Sequence, residues 1–180
     1  MMRMSIPAIN ESASSDIVND GLVTAKYIRN NYIQFLQPAA DSVGLDVTIP
    51  ISFMIIESGR FDGSGKVNPN ARSPVGALGL MQLMPETALS TVDNQAAAFT
   101  GPQAAIVQKY MPGYIKIGGV TGLRSTWLPK MTDLLKIPEF NIWVGTMQLA
   151  QLFKYIKKRT GEFKVDQVIV AYNAGVGNYG

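Results

Sequence analysis

The segment Ile51–Thr87, ISFMIIESGRFDGSGKVNPNARSPVGALGLMQLMPET, constrains this chain most. An apolar run ends in a single carboxylate, Glu57, followed by Ser58 and Gly59. A loop rich in Gly, Asn and Pro follows, and the chain then returns to apolar sequence at GLMQLMPET. Thr48-Ile49-Pro50 reads as a helix start, with Thr48 as the cap and Pro50 tolerated in the first turn. Ile51, Phe53, Met54, Ile55 and Ile56 are apolar on nearly every side, which predicts a short helix buried all round. Gly59 is its stop signal. Glu57 thus falls at a helix C-terminus, where the negative end of the macrodipole and desolvation both disfavour an ionised carboxylate. Both raise its pKa, the direction a general acid near neutral pH requires. The plainer alternative is a solvated residue in the last turn.

Composition narrows the chemistry. A chain of 180 residues suits one domain and a real core. With 47% hydrophobic and 16% charged residues it is globular, not disordered. A net charge of +3 is mild and does not identify a nucleic-acid binder. There is no cysteine and no histidine. Disulfides, thiol nucleophiles, Ser-His-Asp triads and the common zinc sites are excluded, and neither metal nor cofactor is expected. Carboxylates, hydroxyls, amides or Lys/Arg must carry any catalysis. The N-terminal sequence MMRMSIPAINESASSDIVNDG lacks the apolar core of a signal peptide. The longest apolar run, about IPISFMII, is too short for a membrane span.

Along the chain, residues 1–20 read as a polar, flexible or docking arm. Residues 21–37 have helical spacing, interrupted at Pro38, and a second helical piece ends at Gly44. Residues 60–78 form a loop. Pro85-Glu86 starts another helix, and QAAIVQKYM after Gly101-Pro102 a further one. The Gly-rich stretch 112–128 fits either a short hairpin or a long loop over a groove. Residues 129–136 make one or two helical turns. Pro138 opens the clearest helix, which carries a broad apolar stripe and ends at Gly161. Lys154, Lys157, Lys158 and Arg159 in its last turns suit the negative helix end, a reading preferred over a nucleic-acid patch. VDQVIVAYNA, capped by Gly175, is the last helix.

Four blocks in this order resemble the catalytic domain of soluble-type (SLT) lytic transglycosylases, relatives of goose-type lysozyme. They are Glu57-Ser58; Ser73-Pro74-Val75-Gly76-Ala77 leading into Gly79-Leu80-Met81-Gln82-Leu83-Met84-Pro85 and Thr87-Ala88; Asn141-Ile142 with Gly145; and Ala171-Tyr172-Asn173-Ala174-Gly175. The resemblance covers about residues 45–180. It implies a helical, lysozyme-like fold with a glycan groove, in line with the mainly α pattern of the chain, in which the centre leaves room for a small irregular β element. Residues 1–44 would be a polar arm and leading helix, and residues 45–180 the catalytic domain. It further implies cleavage of the β-1,4 bond between N-acetylmuramic acid and N-acetylglucosamine in peptidoglycan, with closure of a 1,6-anhydro ring.

By the same resemblance, Glu57 is the catalytic acid and base. Ser73 hydrogen-bonds near that carboxyl, and the Tyr172 hydroxyl reaches it. Met81 and Gln82 contact sugar in the groove, and Asn173 shapes the site. One glutamate suffices where the substrate's N-acetyl group assists. Asp62 could position a water in a hydrolase, but a turn role in Asp-Gly-Ser-Gly suits it better. The spacing from Glu57 to Ser73 is longer than usual for the family, through an insert around Asp62–Lys66. The chain stops at Gly180, where relatives continue with a further helix, so a truncated piece of a longer protein is one reading. The expected partners are peptidoglycan strands and, through residues 1–44, other proteins of a phage particle, with no nucleic acid and no membrane span. The expected setting is a virion acting on the host periplasm and cell wall. The rivals are a lysozyme-type hydrolase on the same fold and a non-catalytic wall-binding or virion structural module.

Overall fold

The computed structural model describes residues 11–59, 64–95, 101–116, 119–120 and 124–174, with side chains over 20–59, 64–95, 101–114 and 124–173. The order of elements is α1 (Glu11–Val43), α2 (Thr48–Ser58), α3 (Pro85–Gln95), α4 (Gly101–Tyr110), β1 (Ile115–Lys116), β2 (Gly119–Val120), α5 (Arg124–Leu134), α6 (Pro138–Thr160) and α7 (Val165–Ala174). The described fold is therefore mainly α-helical, as expected. The Gly-rich centre supplies a short antiparallel ladder with Ile115 opposite Val120 and Lys116 opposite Gly119.

The middle of the fold is α6. From Phe140 to Met147 every residue is buried, and Leu149, Leu152, Phe153 and Ile156 continue the apolar stripe. Helices α1, α2, α3, α4 and α7 all pack against it. Its ends are set locally. Pro138 occupies the first turn, and Gly161 adopts the left-handed conformation (φ 79°) while its N–H donates to Lys157 O at 2.8 Å. Polar ties fasten the outer helices. Lys109 and Tyr110 of α4 both reach the Glu139 carboxylate at the start of α6. Asp93 of α3 accepts from Tyr114 and from Arg124 of α5, the latter at 3.0 Å.

Several local expectations are corrected. Residues 11–20, read as a flexible arm, are the first turns of α1. No Gly or Pro interrupts them, and extending an anchored helix by one residue is far easier than nucleating a new one. Pro38 does not break α1, although it lies inside it. It is exposed, and Leu36, Ala39 and Ala40 around it are buried in the core. That packing outweighs the roughly 3 kcal/mol a mid-helix proline costs.

Thr48 is not the cap of α2: the N-cap position is Val47, which has no side-chain cap, and the polar partner is Asp46 just before it. The Asp46 carboxylate accepts from the Thr48 N–H at 2.8 Å and from its hydroxyl. Those hydrogen bonds lower the Asp46 pKa. Nor is α2 buried all round: Ser52 is exposed and Ile56 is 48% exposed, because α1 and α6 cover only one side. Gly59 stops the helix without a left-handed turn (φ −62°, ψ 136°). Glycine is needed there for space, since a Cβ would lie 2.3 Å from Ile55 O. Helix α5 is longer than expected and runs through Pro129. Asp62 and the Gly175 cap lie outside the described residues.

Candidate active site

Glu57 occupies the last turn of α2 and is half-buried. Burial pushes its pKa above the usual carboxylate value. The cause is desolvation, which disfavours the charged form. Gly59 itself bridges to Val67, and Asn68 N–H donates to Ser58 O at 3.3 Å. Val67 and Asn68 thus close against the helix end that carries Glu57.

Tyr172 of α7 stands beside this turn. Its ring meets Phe53 edge-on at 5.2 Å, and Phe53 lies one helical turn before Glu57. Burial first, and then the Glu57 charge, raise the Tyr172 pKa well above its ordinary value. The phenol therefore stays protonated and acts as a donor. It donates to Met81 O at 2.6 Å, where the resemblance implies a bond to the glutamate.

The turn that receives this bond is closed by paired backbone hydrogen bonds, Leu78 N–H to Leu83 O at 2.9 Å and Leu83 N–H to Leu78 O at 3.0 Å. Gly79 sits at φ 77°, where a Cβ would lie 2.3 Å from Asn141 Nδ2. Gln82 is a non-glycine residue at φ 46°. Such a conformation is strained by roughly 1–3 kcal/mol. Its own side chain offsets the strain, with Nε2 donating to Gly79 O at 2.8 Å and Ala71 O at 3.2 Å.

Met81, expected to touch sugar, has no exposed surface. Its side chain lies over Gly145, where a Cβ would come within 2.7 Å of it. What Met81 contributes here is backbone. Its N–H donates to Asn141 Oδ1 at 2.8 Å, and its carbonyl accepts from Tyr172. Ser73 shapes the preceding loop: its Oγ accepts from Ala77 N–H at 2.9 Å, and its N–H donates to Ala77 O at 2.9 Å. Asn173 is exposed, and its amide donates to Ile169 O of its own helix at 3.2 Å. Glu57, Tyr172 and the Met81 turn are therefore brought together, whereas the polar groups of Ser73, Gln82 and Asn173 are engaged with nearby backbone.

Asn141 and Gly145, to which the motif alone assigns no role, support the turn from α6. Asn141 is fully buried, and its Nδ2 also donates to Leu78 O at 3.0 Å and Leu135 O at 2.9 Å. The available signal was an amide and a glycine inside the apolar run Phe140–Val144 and its continuation. A buried amide there needs polar partners from elsewhere.

A cavity of about 540 Å³ opens between α3, α6 and α7, lined among others by Thr87, Gln148, Gln151, Tyr155 and Ala171. Glu57 does not line it, but Ala171 is the chain neighbour of Tyr172. The buried Gln148 Oε1 has no hydrogen-bond partner among the described residues.

Two outcomes follow from this geometry. Tyr172→Phe should lower stability by about 0.5–1.5 kcal/mol, the usual net worth of one hydrogen bond, as read by urea unfolding. An unchanged midpoint would mean that the bond to Met81 O does not hold the turn. Glu57 should also make stability pH-dependent. Its folded pKa is raised, so the folded state binds more protons than the unfolded state between the two pKa values, and stability falls as pH rises through that window. Glu57→Gln should therefore melt higher than the wild type at pH 7 and at the same temperature near pH 3. Equal melting temperatures at pH 7 would contradict the burial of this carboxyl.

Comparison with known proteins adds one finding. Residues 64–107 match the model of the Transglycosylase SLT domain family. No curated protein matches the chain. The matched segment holds Ser73, Met81, Gln82, α3 and most of α4, and it begins after Glu57. The mainly helical architecture agrees with the lysozyme-like all-α fold of that family.

Proposed function

We propose that this chain is a peptidoglycan lytic transglycosylase that cleaves the β-1,4 bond between N-acetylmuramic acid and N-acetylglucosamine and leaves a 1,6-anhydromuramoyl end. The match to the SLT transglycosylase domain supports a cell-wall glycan as substrate. The observation that carries the reading is Glu57, a half-buried carboxyl in the last turn of α2 whose pKa is raised by burial. Burial moves this carboxyl toward holding its proton to higher pH than an exposed one, the direction a donor to a leaving oxygen requires.

One carboxyl then serves twice. Protonated Glu57 donates to the glycosidic oxygen as the bond to C1 breaks. The resulting carboxylate takes the proton of the muramic C6 hydroxyl as its oxygen bonds to C1. The proton lost in the first step is regained in the second, and no water is consumed. The substrate's N-acetyl group stabilises the positive centre between the steps, as in substrate-assisted glycosidases.

The test is digestion of purified peptidoglycan, with products read by mass spectrometry. Anhydromuropeptides support the proposal. Products heavier by one water mean a lysozyme-type hydrolase, with Asp62 as the residue to examine next. Binding without products means a wall-binding or structural module. Among the described residues no helix is long and apolar enough to cross a membrane. Local wall opening by a phage particle, with residues 1–44 docking to particle proteins and residues 45–180 as the catalytic unit, is part of the same proposal. Detection of the chain in purified particles is its check.

A further inference from the structure

A second cavity, of about 670 Å³, lies along the C-terminal half of α6. Lys154, Lys157 and Lys158 line it, together with Phe153, Phe163 and the end of α1 at Ser42–Gly44. Among the described residues no Asp or Glu lines it. None of the three lysines forms an ion pair among the described residues, and Lys157 stands 4.6 Å over the Phe163 ring. Complementing the helix end explains basic residues here, but not why they surround a concave, acid-free space. Such a space concentrates anions.

This cavity shares Asn94, Gln151 and Tyr155 with the one that reaches Ala171, so the two adjoin as a trough along α6, basic at the Lys154–Lys158 end and with Glu86 lining the other. From Gln148 to Lys158 the helix rises about 15 Å at 1.5 Å per residue. An extended peptide of five residues spans about 17 Å at roughly 3.3–3.6 Å each. The stem peptides of peptidoglycan are of that length, leave the glycan at muramic acid and carry free carboxylates.

We propose that the trough is a stem-peptide site, in which Lys154, Lys157 and Lys158 hold the stem carboxylates while the glycan lies toward Tyr172 and Glu57. This rests on the peptidoglycan reading above and names the part of the substrate that the basic end recognises. Trough and acid together would favour strands that still bear their peptides.

The experiment measures binding of a synthetic stem pentapeptide with free carboxylates to the full chain by calorimetry or NMR titration. The wild type and Glu57→Gln should bind equally. Lys154→Gln/Lys157→Gln/Lys158→Gln should bind at least about tenfold more weakly, equivalent to about 1.4 kcal/mol. The same peptide with its carboxylates amidated should lose binding to the unaltered protein, a result that does not depend on how the variant folds. Cleavage should follow suit: the ratio of rates on peptide-bearing over peptide-free strands should fall about tenfold in the triple variant. No binding by the wild type, equal binding of the amidated peptide, or preference of these lysines for an oligonucleotide or a polyphosphate would overturn the site. Stem binding that persists in a protein releasing no products from sacculi would instead refute the catalytic reading and leave the site standing.

Discussion

Glu57→Gln should reduce turnover of peptidoglycan by about 10²- to 10⁴-fold, the range general acid–base catalysis supplies. The amide is nearly isosteric with the carboxyl and cannot donate an acidic proton or accept one back. Because one group is assigned both proton transfers, no neighbouring residue should rescue the variant. Glu57→Asp should also fall, by about 10²-fold, since retracting the carboxyl by one methylene misplaces the proton by roughly 1 Å. The measurement is the rate of anhydromuropeptide release, with glycan binding followed separately. Glu57→Gln retaining more than a tenth of the activity would remove Glu57 from the mechanism. The proton would then have to come from elsewhere, with Asp62 the first residue to test.

The largest loss of stability should come from Asn141→Leu. Leucine fits the volume but deletes three buried hydrogen bonds, to Met81 N–H, Leu78 O and Leu135 O. Leu78 O keeps its bond from Leu83 N–H, so the penalty falls chiefly on the other two groups. At about 1–3 kcal/mol for each buried group left unsatisfied, the expected cost is about 3–5 kcal/mol. That is a large share of the roughly 5–15 kcal/mol that stabilises a typical domain. Asn31→Ala, which removes an exposed amide bond within α1, should change stability by no more than about 0.5 kcal/mol. Urea unfolding of the two variants makes the comparison. A loss below about 1 kcal/mol for Asn141→Leu would show that the turn at Gly79–Leu83 holds its shape without this residue. If the larger loss is found, activity should fall with it, because the same amide fixes the backbone that Tyr172 grips.

What could be read directly from the chain was whatever neighbouring residues decide among themselves. Pro85 and Pro138 open helices because a missing N–H does no harm in a first turn. Gly161 closes α6 because it alone among its neighbours takes a left-handed conformation without strain. The apolar stripe of α6 announced a helix at the centre of an all-α core, and an acid after an apolar run announced a carboxyl at a buried helix end. Other features depend on partners far along the chain, and local periodicity carries no information about them. Pro38 stays inside α1 because core packing on either side outweighs its local cost. Gly59 is required by the position of Ile55 O, not by a left-handed turn. Met81 is enclosed because Gly145 leaves room for its side chain. Its backbone is fixed by Asn141 and Tyr172, which are 60 and 91 residues away. The sequence by itself determined where α6 and the Pro-started helices lie, and that a carboxyl ends α2. Only tertiary packing decided that Asn141 and Tyr172 hold the Met81 turn, because those hydrogen bonds join residues that meet only after the chain has folded.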